Sequence, residues 1–403
     1  VAETAAAGSA EWWAGINGPQ WRREGEDCHV TFYWRDPAGD EHHSAVQRVW
    51  IYITGVTDHH QNAVPQTLSR LPGTDVWQWQ TCLPASWRGS YCFIPTERTD
   101  DFAAELFTGA ALDRQLLREG WRKLLPQAVA DPRNQHSWRG GRGHAVSAFS
   151  LPEAPIQPGW DLPDVPYTPP VCIQWRSQRL GNVRRVWVYT TGEMSSAERP
   201  LALLLDGQFW AESMPVWSPL ARLTREGQLP SAVYVLIDAI DTAHRSAELP
   251  CNRDFWLALQ EELLPQIQRI APHSEHPERR LVAGQSFGGL AAMYAGLSFP
   301  QQFGCVLSQS GSYWWPTRGS TEGGVIPEKL SRGEFSPRGL RIWLEAGRRE
   351  PIIFKANQAL LQQLQRTQQP VFWRQVDGGH DALCWRGGLT AGLIALWQPL
   401  LTA

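Results

Sequence analysis

Two rhythms of apolar residues divide the chain. Over the first 150 residues, β-branched and aromatic side chains come in short, often alternating runs at 30–34, 49–54, 76–80 and 91–94, separated by turn formers such as Asp36-Pro37-Ala38-Gly39. Such runs predict strands, and several in succession predict an antiparallel β-sandwich. One stretch breaks the pattern: Leu117, Trp121, Leu124 and Leu125 recur at helical spacing and predict a helical insert over 113–125.

From residue 171 onward, near-continuous apolar runs alternate with amphipathic stretches. Strands are predicted at 186–189, 201–205, 233–237, 281–283, 305–307, 340–344 and 371–373, and helices at 255–270, 288–297, 354–364 and 388–401. Interleaving of this kind makes a mostly parallel sheet covered on both faces, an α/β architecture that binds ligands beyond the carboxyl ends of its strands. Between the halves, residues 151–170 carry Pro152, Pro155, Pro158, Pro163, Pro166, Pro169 and Pro170, a composition that resists helix and sheet. The expected organisation is a sandwich domain over 1–150, a linker over 151–170 and an α/β domain over 171–403.

Length agrees, since 403 residues exceed one ordinary core. A net charge of −3 argues against nucleic acid as a partner. No run approaches the ~18–20 apolar residues of a membrane span, so no membrane association is expected. The opening segment does not read as a secretory signal. The seven cysteines are scattered singly, without a CxxC pair or cysteine–histidine cluster, which predicts free thiols in a reducing, cytoplasmic compartment and no metal site. Twenty-two tryptophans supply core, and suit an aromatic ligand as well.

Chemistry enters at Gly284-Gln285-Ser286-Phe287-Gly288, which runs from the apolar strand Leu281-Val282-Ala283 into the small-residue helix Leu290-Ala291-Ala292. A nucleophilic serine must project from a tight strand-to-helix turn, where side chains at Gly284 and Gly288 would collide with neighbouring backbone. This is the nucleophile elbow of an α/β-hydrolase, in which acid and histidine follow the serine in that order. His380, in Val376-Asp377-Gly378-Gly379-His380-Asp381 after the last strand, is the expected base. The loop after 340–344 offers two acids, Glu350 beyond Gly347 and Glu345 nearer the strand; Glu350 is favoured and Glu345 is the alternative. The backbone N–H groups of Phe287 and Gln208 are the expected oxyanion donors.

Together these residues resemble the cytoplasmic enterochelin (ferric enterobactin) esterases. The likeness rests on Leu205-Asp206-Gly207-Gln208-Phe209-Trp210, on Asp241-Thr242-Ala243-His244-Arg245 with Cys251-Asn252-Arg253-Asp254-Phe255, on the elbow, on Ser308-Gln309-Ser310-Gly311-Ser312-Tyr313-Trp314-Trp315, and on Gly378-Gly379-His380-Asp381. Trp50-Ile51-Tyr52-Ile53-Thr54-Gly55 and Gly73-Thr74-Asp75-Val76-Trp77 extend it through the amino-terminal half. The resemblance implies an immunoglobulin-like or early-set sandwich joined to an α/β-hydrolase domain, and hydrolysis of the cyclic trilactone of 2,3-dihydroxybenzoyl-serine and its linear oligomers. It implies no cofactor, since Fe(III) arrives as part of the substrate. The family's Asp-Pro-x-Asn-Pro segment appears here as Asp131-Pro132-Arg133-Asn134-Gln135, without the second proline.

A ferric tris-catecholate is a trianion with aromatic faces, so arginines and tryptophans near the strand ends are candidate contacts: Arg245, Arg253, Trp210, Trp314 and Trp315. The competing readings are a feruloyl or other carbohydrate-ester hydrolase, and a non-catalytic ferric-siderophore binder.

Overall fold

The computed structural model describes residues 5–61, 63–97, 102, 113–139, 144–193, 196–317 and 323–401. Val1–Pro155, joined by Arg348–Glu350 and Asp377–Cys384, form one unit; Ile156–Gly347, Pro351–Val376 and Trp385–Ala403 form the other.

The first unit opens with helix α1 (Ala10–Ala14) and strands β1 (Gln20–Glu24), β2 (Asp27–Arg35), β3 (Arg48–Ile53), β4 (Gln66–Thr67), β5 (Ser69–Arg70), β6 (Val76–Pro84) and β7 (Arg88–Thr96). Helix α2 (Arg114–Leu124) and strands β8 (Ser137–Arg139) and β9 (Ala145–Ser150) complete it. They make two antiparallel sheets, ordered β1-β2-β6-β5 and β4-β3-β7-β9-β8. Alternation decides which side chains fill the middle: Val30 and Phe32 of β2 meet Val49, Ile51 and Ile53 of β3 and Tyr91 and Phe93 of β7. The residues between them, Trp50, Tyr52, Cys92 and Ile94, point outward and are covered by Leu117, Trp121 and Leu124 of α2. The helical insert is thus a lid over a sheet face that would otherwise be wet, and Asp113 caps it by accepting from Gln115 and Leu116 N–H.

Strand β1 had no expectation, because Gln-Trp-Arg-Arg-Glu is polar almost throughout. It is an edge strand with four exposed positions, so nothing required it to carry an apolar face. The segment lacking its second proline is a closed turn nonetheless. Asn134 N–H donates to Asp131 O at 3.1 Å, and Arg133 N–H to Asp131 Oδ1 at 2.9 Å. Tyr91 Oη donates to the buried Asp131 Oδ2 at 2.7 Å and accepts from Asn134 Nδ2 at 3.1 Å.

The second unit is one sheet of eight strands: β10 (Val171–Ser177), β11 (Asn182–Thr190), β12 (Leu201–Leu204), β13 (Val233–Ile237), β14 (Arg280–Gln285), β15 (Cys305–Gln309), β16 (Arg341–Gly347) and β17 (Val371–Val376). Its order is β10-β11-β13-β12-β14-β15-β16-β17, parallel from β13 to β17 with β10 and β11 antiparallel. The helices are α3 (Trp217–Arg225), α4 (Thr242–Glu248), α5 (Arg253–Ala258), α6 (Leu264–Ile270), α7 (Phe287–Ser298), α8 (Val325–Ser331), α9 (Pro351–Arg366) and α10 (Ala382–Leu401).

Leu203, Val235, Val282, Val306 and Leu344 pack on one face with residues of α5 to α9. Side chains of opposite parity face α3 and α10: Tyr189 meets Trp217 and Tyr234 meets Trp397, with ring centroids 4.9 and 5.9 Å apart. Both faces are buried, which explains the near-continuous apolar strands.

The proline-rich stretch beyond Pro155 is tied down. Val165 N–H donates to Ser218 Oγ at 2.9 Å, Trp160 Nε1–H to Arg386 O at 2.7 Å, and the guanidinium groups of Arg222 and Arg225 to the carbonyls of Pro163 and Pro166. Prolines donate no N–H, so their carbonyls serve as anchor points beside the donors of Trp160 and Val165.

Replacing Tyr91 by Phe would leave the buried Asp131 carboxyl without its phenol donor. It should cost about 1–3 kcal/mol of stability in urea unfolding.

Candidate active site

Just past the ends of three neighbouring strands, β12, β14 and β15, stand non-glycine residues with positive φ: Asp206 at 51°, Ser286 at 60° and Ser310 at 48°. Backbone strain concentrated in this way marks the carboxyl edge of the sheet as the place for chemistry. Ser286 sits between β14 and α7, its N–H donating to Gln309 O at 3.0 Å. A β-carbon on Gly284 would overlap the Gly288 carbonyl, so the turn closes only with glycine there. Phe287 is the first residue of α7, and its N–H is among those a helix start leaves without an internal acceptor.

Gln208 lies in the turn after β12, and its Oε1 accepts from Ala239 N–H at 2.9 Å. Arg245 grips Asp206 through two hydrogen bonds of 2.8 and 3.0 Å and reaches Gln285 O at 3.3 Å. Burial works against its charge, but the Asp206 carboxylate outweighs burial and raises the guanidinium pKa. Arg245 is therefore engaged as a brace of the strand ends. Arg253 is exposed and lies over the Phe299 ring at 5.0 Å. Trp210 is buried, 1% exposed, with Nε1–H donating to Gln285 Oε1 at 3.1 Å, so its side chain belongs to the interior. Trp314 faces Phe287 at 6.0 Å between ring centroids, and Trp315 packs on the core while partly exposed.

The two candidate acids part company. Glu345 is on β16 and fully buried, accepting from Gln309 Nε2 at 2.8 Å and Trp343 Nε1 at 3.3 Å, with Arg374 Nε at 3.6 Å. Glu350 lies past the strand, and its Oε1 is 2.6 Å from His380 Nδ1. The imidazole proton on Nδ1 donates across that short distance, which leaves Nε2 as the acceptor nitrogen.

Glu350 and His380 belong to the first unit, and their loops are fastened there. Asp381 Oδ2 accepts from Ser90 N–H at 2.7 Å and Oδ1 from Ser90 Oγ at 2.9 Å. Arg88 N–H donates to Asp377 O at 3.2 Å, and Arg349 N–H to Gly378 O at 3.1 Å. Gly55, at φ 80°, lies so close to Gly379 that a β-carbon on it would stand 2.7 Å from the Gly379 nitrogen. The His60 ring lies 4.9 Å from the His380 ring at 34°.

Sequence reasoning missed Ser312, whose Oγ is 3.4 Å from Ser286 Oγ, and the anchoring of Asp381, next to His380, by Ser90. Nothing local could pair positions as far apart as 90 and 381.

The sheet and its strand–serine–helix elbow define an esterase of the α/β type. Residues 29–160 match the family described as "Enterochelin esterase, N-terminal", and residues 177–396 the family described as "Putative esterase". The chain is 64% identical over 394 residues to the iron(III) enterobactin esterase of Escherichia coli K12, covering 98% of this chain and 97% of that protein. It is 46% identical over 413 residues to the enzyme of the same description from Dickeya dadantii, covering 96% and 92%. The ferric enterobactin esterase from Salmonella typhimurium superposes with a TM-score of 0.95 at 65% identity, covering 98% and 100%. The enterobactin esterase of Shigella flexneri, crystallised in the presence of enterobactin, gives 0.89 at 63%, with the same coverage. A ferulic acid esterase from Anaeromyces mucronatus, at 16% identity and a TM-score of 0.52, shares the fold alone. The chain belongs to the enterochelin esterase family.

The buried Asp381 carboxyl is pushed above its ordinary 3.8 by loss of solvation, while hydrogen bonds from Leu383 and Ser90 pull the other way. Between 3.8 and the raised folded value the unfolded chain has released a proton that the folded chain still holds, so stability falls as pH rises through that interval. Asp381→Asn lacks this slope. In thermal unfolding from below the ordinary aspartate range up to neutrality, the difference between variant and wild type should shift in favour of the variant.

Proposed function

We propose that the chain hydrolyses the ester bonds of ferric enterobactin and its linear oligomers by serine-dependent acyl transfer, with Ser286 as nucleophile and His380 as general base. The observation that carries this reading is the strained Ser286 elbow in a chain similar to iron(III) enterobactin esterases over 98% of its length.

Ser286 Oγ attacks a lactone carbonyl as His380 Nε2 takes its proton. The N–H groups of Phe287 and Gln208 hold the oxyanion; the proton passes to the departing serine hydroxyl, and water then releases the acyl group by the same route. The 2.6 Å contact with His380 favours Glu350 over Glu345 as the carboxylate that fixes the imidazole tautomer and stabilises the imidazolium. Trp314, Trp315 and Arg253, each at least partly exposed, remain candidates for the catecholate faces and charge. None of the seven cysteines is in a disulfide, which supports a reducing, cytoplasmic setting. Among the described residues no helix is long and apolar enough to cross a membrane.

Purified protein and Ser286→Ala, each incubated with ferric enterobactin and with the iron-free trilactone, should differ completely in the release of linear products. Equal cleavage by both would overturn the assignment of Ser286. Cleavage of neither substrate by wild-type protein that a fluorophosphonate still labels would keep the hydrolase and discard the siderophore. Glu350→Gln should lower kcat by about 10³–10⁴-fold, and Glu345→Gln by far less; the reverse order would move the orienting role to Glu345.

A further inference from the structure

The residues just beneath the nucleophile form a continuous polar row through an otherwise apolar face. Arg374 of β17 pairs in register with Glu345 of β16, Glu345 with Gln309 of β15, and Gln309 with Gln285 of β14. Residues in register on neighbouring strands present side chains to the same face. Parity with Leu281, Ala283, Leu307 and Trp343 puts this row opposite α7, on the side of α10. A β-carbon on Gly388 of α10 would overlap Glu345 Oε1, so the helix rests directly on the row.

Every link is made. Glu345 Oε2 accepts from Gln309 Nε2 at 2.8 Å, Gln309 Oε1 from Gln285 Nε2 at 2.9 Å, and Gln285 Oε1 from Trp210 Nε1 at 3.1 Å. Gln309 Nε2 also donates to Trp385 O at 2.8 Å. Glu345, Gln309, Gln285 and Trp210 are each 3% exposed or less. The direction of the chain is forced from both ends. A carboxylate only accepts, so Gln309 turns its amide nitrogen toward Glu345 and its oxygen toward Gln285. An indole N–H only donates, so Gln285 turns its oxygen toward Trp210. Neither glutamine can flip without placing two donors or two acceptors together in a buried site.

The ends of this row matter. Gln285 immediately precedes Ser286, and Trp210 follows Gln208 in the turn after β12. We propose that the row Arg374–Glu345–Gln309–Gln285–Trp210 is a positioning device that sets the separation between the Phe287 and Gln208 N–H groups, and so shapes the oxyanion hole. The inference rests on the assignment of those two donors under Proposed function. Gln285 and Trp210 are positioning residues, and the conformation of the turn after β12 is imposed through the sheet as well as by Arg245 on Asp206.

The test compares Trp210→Phe, Gln285→Met and the double variant with wild type. Trp210→Phe strands Gln285 Oε1, Gln285→Met strands both Trp210 Nε1 and Gln309 Oε1, and the double variant leaves only Gln309 Oε1 without its donor, so it regains stability over Gln285→Met. Three quantities are read: the urea midpoint, kcat and KM on ferric enterobactin and on p-nitrophenyl acetate, and the rate at which a fluorophosphonate labels Ser286. Trp210→Phe should lower kcat and the labelling rate together by roughly ten- to a hundredfold, less than loss of a whole oxyanion donor, with KM within about twofold. In the double variant the urea midpoint should rise above that of Gln285→Met while kcat and labelling stay low. Recovery of kcat together with stability, or a Trp210→Phe labelling rate within about twofold of wild type, would overturn the positioning role. Failure of wild type on ferric enterobactin, with aryl ester hydrolysis and labelling intact, would sink the siderophore reading alone, because the row is then still measured by the other two readouts.

Discussion

At Gly284 there is no room for a β-carbon, because the Gly288 carbonyl occupies the place. That closeness of strand β14 to the first turn of α7 is the constraint on which the rest of the site depends. It holds Ser286 at φ 60°, a conformation costly for a residue with a side chain, and the surroundings must hold it there. They do so with the Gln309 carbonyl on its N–H, the Ser312 N–H on its carbonyl at 3.2 Å, and a helix whose small residues sit flush on the sheet. The same edge strains Asp206 and Ser310, so the cost is spread over three strand ends.

Two glutamates close together in sequence carry different physics because one lies within the strand and the other beyond it. Glu345 is committed by strand parity to the face under α10, where two N–H donors and Arg374 surround it in a dry interior. Such a carboxylate can orient neighbours, and burial keeps it from reaching beyond the sheet edge. Glu350 has passed the end of β16 and meets His380. A buried polar row would ordinarily weaken a core; here every donor has an acceptor, and what it provides is a single allowed orientation for each amide.

The loops bearing Glu350 and His380 are held by backbone approach as much as by side chains. Gly55 and Gly379 touch without β-carbons between them, and Asp381 accepts from both the N–H and the hydroxyl of Ser90. The amino-terminal unit therefore contains His380, Glu350 and the bonds that fix their loops.

What is local was legible along the chain. Apolar periodicity marked most of the strands and helices, the prolines marked the passage between halves, and Gly284, Ser286 and Gly288 marked the elbow, since each depends on neighbours along the chain. The order of serine, acid and histidine narrowed the expected acid to two residues, with Glu350 favoured for its place beyond Gly347. Only the tertiary structure separated Glu345 from Glu350, turned Trp210 from a candidate ligand contact into a buried donor, set Arg245 on Asp206, and brought Ser90 to Asp381. Those outcomes depend on strand register and on contacts between residues up to 291 positions apart. Edge strand β1 escaped notice for the opposite reason: with four of its five positions exposed, burial left no pattern in its residues.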